Sequence, residues 1–513
     1  MAKVYDKPAS VEGAAEELQP PEEDLNGKSA PAAMSGMYRA AWRWHFYAGL
    51  FVIPFLVTLA VTGAIYLFKD QAEPIMYRDL TRVPLPVEGT ATRPLGEQVS
   101  AVQDAFPNDS VASVVQPLGP TRSTQVFINP KEGWDQPADS WAGGKRVVYV
   151  NPYNAEVLGH QVPDDLFMEN IREVHNGLMA GTAGNRLVEI VASWTVILTM
   201  SGFYLWWRGR EPRRVQQARG ALNARSALRR RHAQVGALGG TLVLFFVISG
   251  LFWSGFWGTG SQKVAERIQG YPEYSEEATT STPVLTKDLA GGDIPVPWAA
   301  ERLPVPASGA GHHGKGNPSS SEAAEPAGAA PIGIDQAAAI AEARLSPAKP
   351  SLWLNMPEGD KGVYTIKPNG HGTESYTTLH IDQYSGKVLA DYGYDDFGVV
   401  AKTISEGVNL HQSSRFGGWA DAANTGVNLL MCSAVVFLAV TGPMMWWKRR
   451  PKGAFSPPRR SSDPRTRRRL FLAVMLPIGI LFPLGGITML AVLLLDWQVF
   501  RRIPRLARAF GSA

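Results

Sequence analysis

The chain has 513 residues, a formal net charge of +4, 45% hydrophobic residues and a single cysteine, Cys432. These averages suit a soluble enzyme, but five windows contain no Asp, Glu, Lys or Arg: 46–68, 190–207, 233–262, 422–447 and 470–495. Because a helix of ~20 apolar residues crosses a bilayer, these windows exclude a purely soluble or fibrous protein. A single cysteine excludes an intrachain disulfide and a cysteine-based metal site.

The amino terminus predicts a cytoplasmic tail followed by the first span. Residues 1–37 are acidic, contain Ala and Pro and lack periodicity, which is typical of a disordered segment. No cleavable signal peptide is expected, because the first apolar run begins near residue 46 and is long enough to span the bilayer. We therefore interpret 38–69 as a signal-anchor helix that starts in the cytoplasm.

The charge between the windows predicts the remaining topology. Nine arginines lie between the second and third windows, and ten Lys or Arg lie between the fourth and fifth. Short basic loops stay in the cytoplasm by the positive-inside rule. The alternative interpretation, a nucleic-acid-binding patch, is less favoured because membrane topology alone explains basic loops beside spanning helices. The expected organisation has spans at 38–69, 171–208, 232–260, 406–448 and 470–500, basic cytoplasmic loops at 209–231 and 449–469, and outer segments at 70–170 and 261–405.

Each outer segment predicts a helix followed by antiparallel strands. The first has a helix at 94–106 and strands at 110–115, 123–128 and 146–150. The second has an amphipathic helix at 334–344 and strands near 351–355, 362–366 and 376–381. Both end in an Asx-x-Tyr-x-[Ala/Gly]-x-Val-Leu pattern, from Asn151 and Asp382, which is typical of a turn between strands. Residues 304–331, rich in Pro, Gly, Ser and Ala, predict a flexible linker.

The fifth window leaves two alternatives. Five spans place the carboxyl terminus outside, which conflicts with the arginines that follow the window, namely Arg501, Arg502, Arg505 and Arg508. A re-entrant segment, bent at Pro477, Pro483 and Gly485-Gly486, would return the chain to the cytoplasm.

The chain also predicts an internal duplication. Matching residues stand at equal spacing in the two halves: His45, Gly49, Thr62 and Gly63 against His232, Gly236, Ser249 and Gly250, and Ser201-Gly202 against Thr441-Gly442. Both halves enter from the cytoplasm, so the repeat is parallel. The expected fold class is a membrane α-helical bundle of two parallel-repeat helix pairs plus one extra C-terminal helix, with two small α+β outer modules.

The repeat singles out four of the nine histidines. His45 and His232 begin outward-running helices and are expected near the cytoplasmic face, whereas His175 and His411 precede inward-running helices and are expected near the outer face. Two imidazole pairs at two depths indicate two b-type haems, whose iron each pair would ligate.

Two glycines extend this hypothesis, and one alternative opposes it. Gly49 and Gly236, one turn after the inner histidines, would leave room for a flat porphyrin. The alternative places each histidine at the polar interface of a helix end, but four matched positions favour a functional role. The remaining histidines give weaker signals: His160, His312-His313, and His371 and His380, which flank a predicted strand and could face a substrate.

Several motifs occur in a fixed order along the chain: Trp44-His45-x3-Gly49, Tyr149-Val-Asn-Pro-Tyr-Asn-Ala-Glu-Val-Leu158, Val174-His175-Asn-Gly, Ser201-Gly-Phe-Tyr-Leu-Trp-Trp207, Arg231-His232, Leu379-His-Ile-Asp-Gln-Tyr-Ser-Gly-Lys-Val-Leu389, Asn409-Leu-His411 and Leu481-Phe-Pro-Leu-Gly-Gly486. Over roughly residues 38–500 the chain thereby resembles the PepSY-associated transmembrane proteins, especially their di-haem ferric-siderophore reductases. The resemblance implies PepSY-like modules in the periplasm, a multi-pass protein of the bacterial inner (cytoplasmic) membrane with a cytoplasmic N-terminus, and haem ligation by His45, His175, His232 and His411.

We therefore expect a haem-dependent oxidoreductase that reduces a ferric siderophore or another Fe(III) chelate and relays electrons without an assigned catalytic side chain. The donor would be a cytoplasmic reductase or membrane quinol, because the short inner loops cannot hold a nicotinamide or flavin domain. The membrane lipid is an expected partner and nucleic acid is not. The alternative is a haem-free PepSY protein that regulates or scaffolds periplasmic proteins or peptidases, and a transporter is less favoured.

Overall fold

A computed structural model of the protein describes residues 36–131, 144–209, 224–267, 285–286, 300–308, 330–345, 350–370, 372, 376–450, 465, 471–495, 498–499 and 502–503. The tail predicted for residues 1–37 lies almost entirely outside the described residues, as do most of both basic loops and of the 304–331 linker.

The secondary structure follows the order of the predicted segments. The α-helices are α1 (Gly36–Tyr66), α2 (Lys69–Met76), α3 (Arg78–Thr81), α4 (Leu95–Ala105), α5 (Phe167–Gly177), α6 (Gly181–Arg208), α7 (Ala224–Leu251), α8 (Trp257–Arg267), α9 (Gly333–Arg344), α10 (Val399–Gln412), α11 (Gly418–Arg449), α12 (Leu476–Leu481) and α13 (Pro483–Leu495). The strands are β1 (Ser110–Val115), β2 (Thr124–Asn129), β3 (Arg146–Val150), β4 (Val157–Gln161), β5 (Leu352–Asn355), β6 (Val363–Pro368), β7 (Thr378–Asp382) and β8 (Val388–Tyr392).

Four of the described helices, α1, α6, α7 and α11, are long and apolar enough to cross a membrane. Helix α1 packs against α6 and α11, and α7 packs against the same two helices. Helices α1 and α7 therefore lie diagonally opposite each other, as do α6 and α11. Large apolar side chains such as Leu238 and Leu430 lie exposed on the outside of this bundle, where lipid would cover them.

Short helices precede the second spanning helix of each half. Helix α5 packs against α1 and α6, and α10 packs against α7. Each ends at a non-glycine residue in the left-handed region, Leu178 with φ 52° and Ser413 with φ 59°. This conformation breaks the helix, so α5 and α10 are separate elements that can be oriented independently of the spans that follow.

The fifth expected span requires a correction. Residues predicted to form one continuous helix within 470–500 instead form a π-helical turn (Phe471–Met475) and two short helices, α12 and α13, separated at Phe482. A methyl group added at Gly486 would lie 2.7 Å from the Cα atom of Gly479, whereas seven residues of straight helix would separate these positions by about 10 Å. The chain therefore reverses direction between Gly479 and Gly486, which is the backbone geometry of a re-entrant segment; the side of the membrane on which the tail lies stays a prediction.

The outer strands form one eight-stranded antiparallel sheet in the order β4-β3-β2-β1-β5-β6-β7-β8. Each half contributes four strands and one helix, and α4 and α9 confirm the helices predicted at 94–106 and 334–344. The two predicted modules are joined edge to edge, because β1 pairs with β5 through Ser113–Asn355, Val114–Leu354 and Val115–Trp353. We call this pairing the seam.

The main core of the sheet lies on its α4/α9 face. Val102 of α4 and Ala337 of α9 are fully buried there against Val114 and Leu354 of the two seam strands. The opposite face carries Val115, Phe127 and Trp353, and Leu80 of α3 packs against this cluster. Helix α10 packs on the same side through the cluster that contains Tyr376 and Tyr392, so this second face is directed toward the helical bundle.

Candidate cofactor sites in the helical bundle

The four histidines chosen from the repeat lie on four different helices. His45 is on α1 and His232 on the diagonally opposite α7. His175 on α5 and His411 on α10 have ring centroids 6.4 Å apart. Two imidazoles that share one metal ion through ~2.0 Å bonds place their centroids roughly 6 Å apart, so the outer pair already has a suitable separation.

Each histidine is held through Nδ1 by a hydroxyl of the other spanning helix of its own half. The Nδ1–oxygen distances are 3.3 Å for His45 with Ser201, 3.1 Å for His175 with Thr62, 2.7 Å for His232 with Thr441 and 2.9 Å for His411 with Ser249. The same contact thus occurs four times, once at each end of each helix pair.

These contacts are compatible with one protonation state of the four rings. Each hydroxyl lies within donating distance of the carbonyl oxygen four residues earlier: Thr62 of Thr58 (2.8 Å), Ser201 of Ile197 (2.7 Å), Ser249 of Phe245 (2.8 Å) and Thr441 of Phe437 (2.8 Å). A hydroxyl that donates there accepts from the imidazole, which places the proton on Nδ1 and leaves a lone pair on Nε2. For His45 the carbonyl oxygen of Leu198, 2.9 Å from Nδ1, requires the same tautomer. This is the form in which a metal-binding histidine presents Nε2 and is oriented by its other nitrogen.

A glycine follows each of the four hydroxyl residues and makes room for the imidazole ring. A Cβ atom would lie 3.0 Å from Cε1 of His175 at Gly63, 3.1 Å from that of His45 at Gly202, 3.3 Å from that of His411 at Gly250 and 3.7 Å from that of His232 at Gly442. The functional unit is therefore a [Ser/Thr]-Gly dipeptide opposite each histidine. In the sequence these dipeptides align the two halves, but nothing in their spacing shows which histidine each one contacts.

Gly49 and Gly236, the glycines predicted to accommodate porphyrin, have different neighbours. A Cβ atom at Gly49 would lie 3.5 Å from Leu198 Cδ1, and one at Gly236 would lie 3.7 Å from Leu438 Cδ2. Both are ordinary contacts with the adjacent spanning helix. A role for Gly49 and Gly236 at the cofactor stays a prediction.

Buried polar contacts fix the short helices that carry the outer pair. Glu169 of α5 is paired with Lys69 and with Arg172. Burial raises the pKa of this carboxyl, but the two cations lower it further, so it stays ionised. In the second half, the buried Asn428 of α11 donates from Nδ2 to the carbonyl oxygen of His411, at 3.1 Å. Each outer histidine is thereby held at both its side chain and its helix.

The outer pair would have to be uncharged to bind a metal, because neutral imidazole is the state that coordinates one. Among the described residues no group of three or more His, Cys, Asp or Glu could hold a metal ion. A pair of imidazoles fits a metal whose other ligands come from a macrocycle, so the residues present fit haem.

The other histidines of the described chain are placed elsewhere. His160 on β4 stacks edge-on against Phe106. His380 on β7 is fully buried in the sheet, with Nδ1 2.9 Å from the Thr365 hydroxyl. His312, His313 and His371 lie outside the described residues.

A comparison with protein-family models matches residues 42–449 to the PepSY-associated TM region. The match spans α1 to α11, and thus includes all four histidines, both helix pairs and the whole sheet. No curated protein matches the chain.

Proposed function

Because the chain belongs to the PepSY-associated transmembrane family, we propose that it is a di-haem b electron-transfer protein of the bacterial inner membrane that reduces a periplasmic Fe(III) chelate. The observation that carries this proposal is the fourfold contact between a histidine Nδ1 and a [Ser/Thr]-Gly hydroxyl. It would leave the Nε2 atoms of the four histidines, in two pairs, available to hold two haem irons.

The chain's own residues would hold the cofactors in two places. His45 and His232 would hold one haem, and His175 and His411 the other. Bound haem would supply one-electron redox chemistry at each place. The two places lie well apart, because His45 and Thr62, the partner of His175, are separated by about 25 Å along the axis of α1. One site thus serves each end of the bundle.

The substrate side follows from charge and topology. Since the basic loops 209–231 and 449–469 favour the cytoplasm, the sheet and the His175/His411 pair belong to the periplasm. An Fe(III) chelate, of which a ferric siderophore is the expected type, would meet the protein on that side. Fe(III) prefers hard oxygen ligands, and reduction to Fe(II) weakens its hold on them, so a reductase at this face would release the iron. Electrons would enter from a cytoplasmic reductase or from quinol.

An absorbance spectrum of the full chain in detergent tests the proposal. We expect a reduced-minus-oxidised haem b spectrum with two haems per chain, and with one in His411→Ala. His160→Ala is the matched control, because this histidine lies on the sheet and should not affect haem content. Protein that contains no haem after iron-replete expression, or that tolerates replacement of all four histidines, would instead support the haem-free regulatory or scaffolding alternative.

A further inference from the structure

Two arginines lie directly opposite each other on the outer side of the molecule. Arg82, at the end of α3, pairs with Arg122 in an isolated antiparallel bridge to the loop that precedes β2. Backbone hydrogen bonds donated by Val83 and Ser123, at 3.1 and 3.2 Å, close the bridge on its two sides. Because these bonds flank the arginine pair, its Cα atoms have the shorter of the two antiparallel spacings, and its side chains lie on one face.

A third arginine, Arg78, lines a cavity together with Arg82. The backbone N–H of Arg82 donates to the Arg78 carbonyl oxygen at 3.0 Å, so the two residues are one turn apart. The cavity has a volume of about 340 Å³, and its other walls are Pro74 and Ile75 of α2. This volume lies in the lower part of the ~300–1,000 Å³ range that is typical of ligand sites. We call Arg78, Arg82 and Arg122 the arginine cluster.

The arginine cluster has little countercharge. In the part of the chain that the structure describes, Arg78 forms one exposed ion pair, with its neighbour Asp79 at 3.3 Å, and neither Arg82 nor Arg122 pairs with a carboxylate. Like charges directly opposite each other in paired strands destabilise a fold, so three neighbouring guanidinium groups indicate that an anion binds between them. Guanidinium groups match the geometry of phosphate oxygens and bind them through two parallel hydrogen bonds.

The arginine cluster also lies close to the membrane. Helix α2 begins directly after the uncharged window 46–68, and the helical rise places Arg78 about 15 Å beyond the end of that window. A long arginine side chain can extend back from there to the lipid headgroups. Ile75 and Met76, at the end of α2, are 65% and 48% exposed, which suits side chains that meet the boundary between headgroups and acyl chains.

We propose that the arginine cluster binds the phosphate of an anionic phospholipid, of the phosphatidylglycerol type, in the membrane leaflet next to the sheet. The phosphate would lie between the guanidinium groups, and the glycerol and acyl chains would lie against Ile75 and Met76. A zwitterionic lipid carries no net charge and would leave the arginines uncompensated, so the site should prefer the anionic lipid. The inference concerns a site outside the histidine pairs and does not depend on haem or on the proposed function.

The test measures which lipid lies beside the cavity. A bimane fluorophore is attached to the full chain through Met76→Cys in a Cys432→Ser background, and the protein is reconstituted into mixed bilayers of phosphatidylglycerol and phosphatidylcholine. One of the two lipids carries a nitroxide quencher on its acyl chain. We expect the labelled parent protein to prefer phosphatidylglycerol at least about tenfold. Arg82→Gln and Arg122→Gln should each lower this preference about fivefold, the contribution of one arginine near an anionic lipid.

Arg93→Gln is the matched control, because Arg93 is an exposed arginine of the same outer segment that pairs with Glu97 at 3.7 Å. It removes the same charge and should leave the lipid preference unchanged. Arg82 is exposed, so its variant should keep the fold even if Arg122→Gln does not.

Two results with the lipids would overturn the proposal: equal quenching by both lipids in the parent protein, or an unchanged preference in Arg82→Gln. A third would come from free phosphate. If millimolar inorganic phosphate at constant ionic strength abolishes the preference, the arginine cluster binds a soluble anion and not a lipid.

Discussion

At the scale of single residues, the role of the histidines can be tested at the hydroxyls that contact their Nδ1 atoms. Replacing Ser249 by Ala removes the acceptor for the Nδ1 proton of His411. Loss of such an orienting partner commonly lowers metal affinity 10–100-fold. On the proposed function, purified Ser249→Ala should therefore hold less haem than wild type, and the haem assigned to His175 and His411 should have a shifted midpoint potential. A pyridine haemochrome assay and a spectroelectrochemical titration measure these two quantities. Ser249→Thr should retain both values, because the equivalent residue in the first half is Thr62.

The control uses a serine with the same helical contact but no histidine. Ser433 on α11 donates to the Leu429 carbonyl oxygen at 2.8 Å and is exposed. Ser433→Ala should leave haem content and potential unchanged. If it lowers haem content as much as Ser249→Ala does, the hydroxyl acts through helix stability and not through the histidine.

The histidines themselves could be predicted from the sequence, whereas the atoms that hold them could not. His45 and His232 stand at equal spacing from matching residues of a repeat, whereas His175 and His411 precede the matching Trp-Trp pairs by 31 and 35 residues. The contact of Nδ1 with a hydroxyl depends on how each helix is rotated about its axis within the bundle. Hydropathy windows contain no information on that rotation when a helix is apolar all round.

At the scale of elements, the α12–α13 hairpin makes a prediction about topology. Its two helices run back on each other, so Ile503 should lie on the side from which the segment enters, the side of the basic loops. In a Cys432→Ser background, a cysteine at Ile503 should react with a membrane-impermeant maleimide only after the inner membrane is permeabilised. A cysteine at Val399, an exposed residue of α10 on the opposite side, should react in intact spheroplasts.

The arginines that follow the hairpin agree with this expectation, since the positive-inside rule places Arg501 and Arg502 in the cytoplasm. Labelling at Ile503 in intact spheroplasts would show that the segment crosses the membrane. An uncharged window of 26 residues predicts a crossing by length and hydropathy alone. The close approach of Gly479 and Gly486 that distinguishes a hairpin from a continuous helix is a tertiary contact.

At the scale of the whole molecule, the strands of the two halves form one continuous sheet through the pairing of β1 with β5. Local patterns predicted the helix and strands of each module because alternation and turn residues are local signals. The seam was not predictable, since β1 and β5 are separated by more than 200 residues and either could have remained an edge strand. Their pairing makes a single eight-stranded sheet from strands of both halves.

A cross-half helix cap offers a test of this union. Asp335 of α9, in the second half, accepts hydrogen bonds from the backbone N–H groups of Leu95 and Gly96, at 2.6 and 3.0 Å. These are the first residues of α4 in the other half, where helix N–H groups lack intrahelical acceptors and a carboxylate is favoured by the helix dipole.

Asp335→Ala should therefore destabilise the start of α4 by about 0.5–2 kcal/mol. Hydrogen–deuterium exchange read by mass spectrometry should show faster exchange in peptides that contain Leu95 and Gly96, with the histidine helices unaffected. Asp79→Ala is the matched control, because Asp79 is an exposed aspartate paired only at the surface with Arg78. Both variants remove one negative charge, so they differ only in the contact with α4. If the α4 peptides exchange equally fast in the two variants, the Asp335 carboxylate does not connect the halves. The pairing of β1 with β5 would then be their main connection in the sheet.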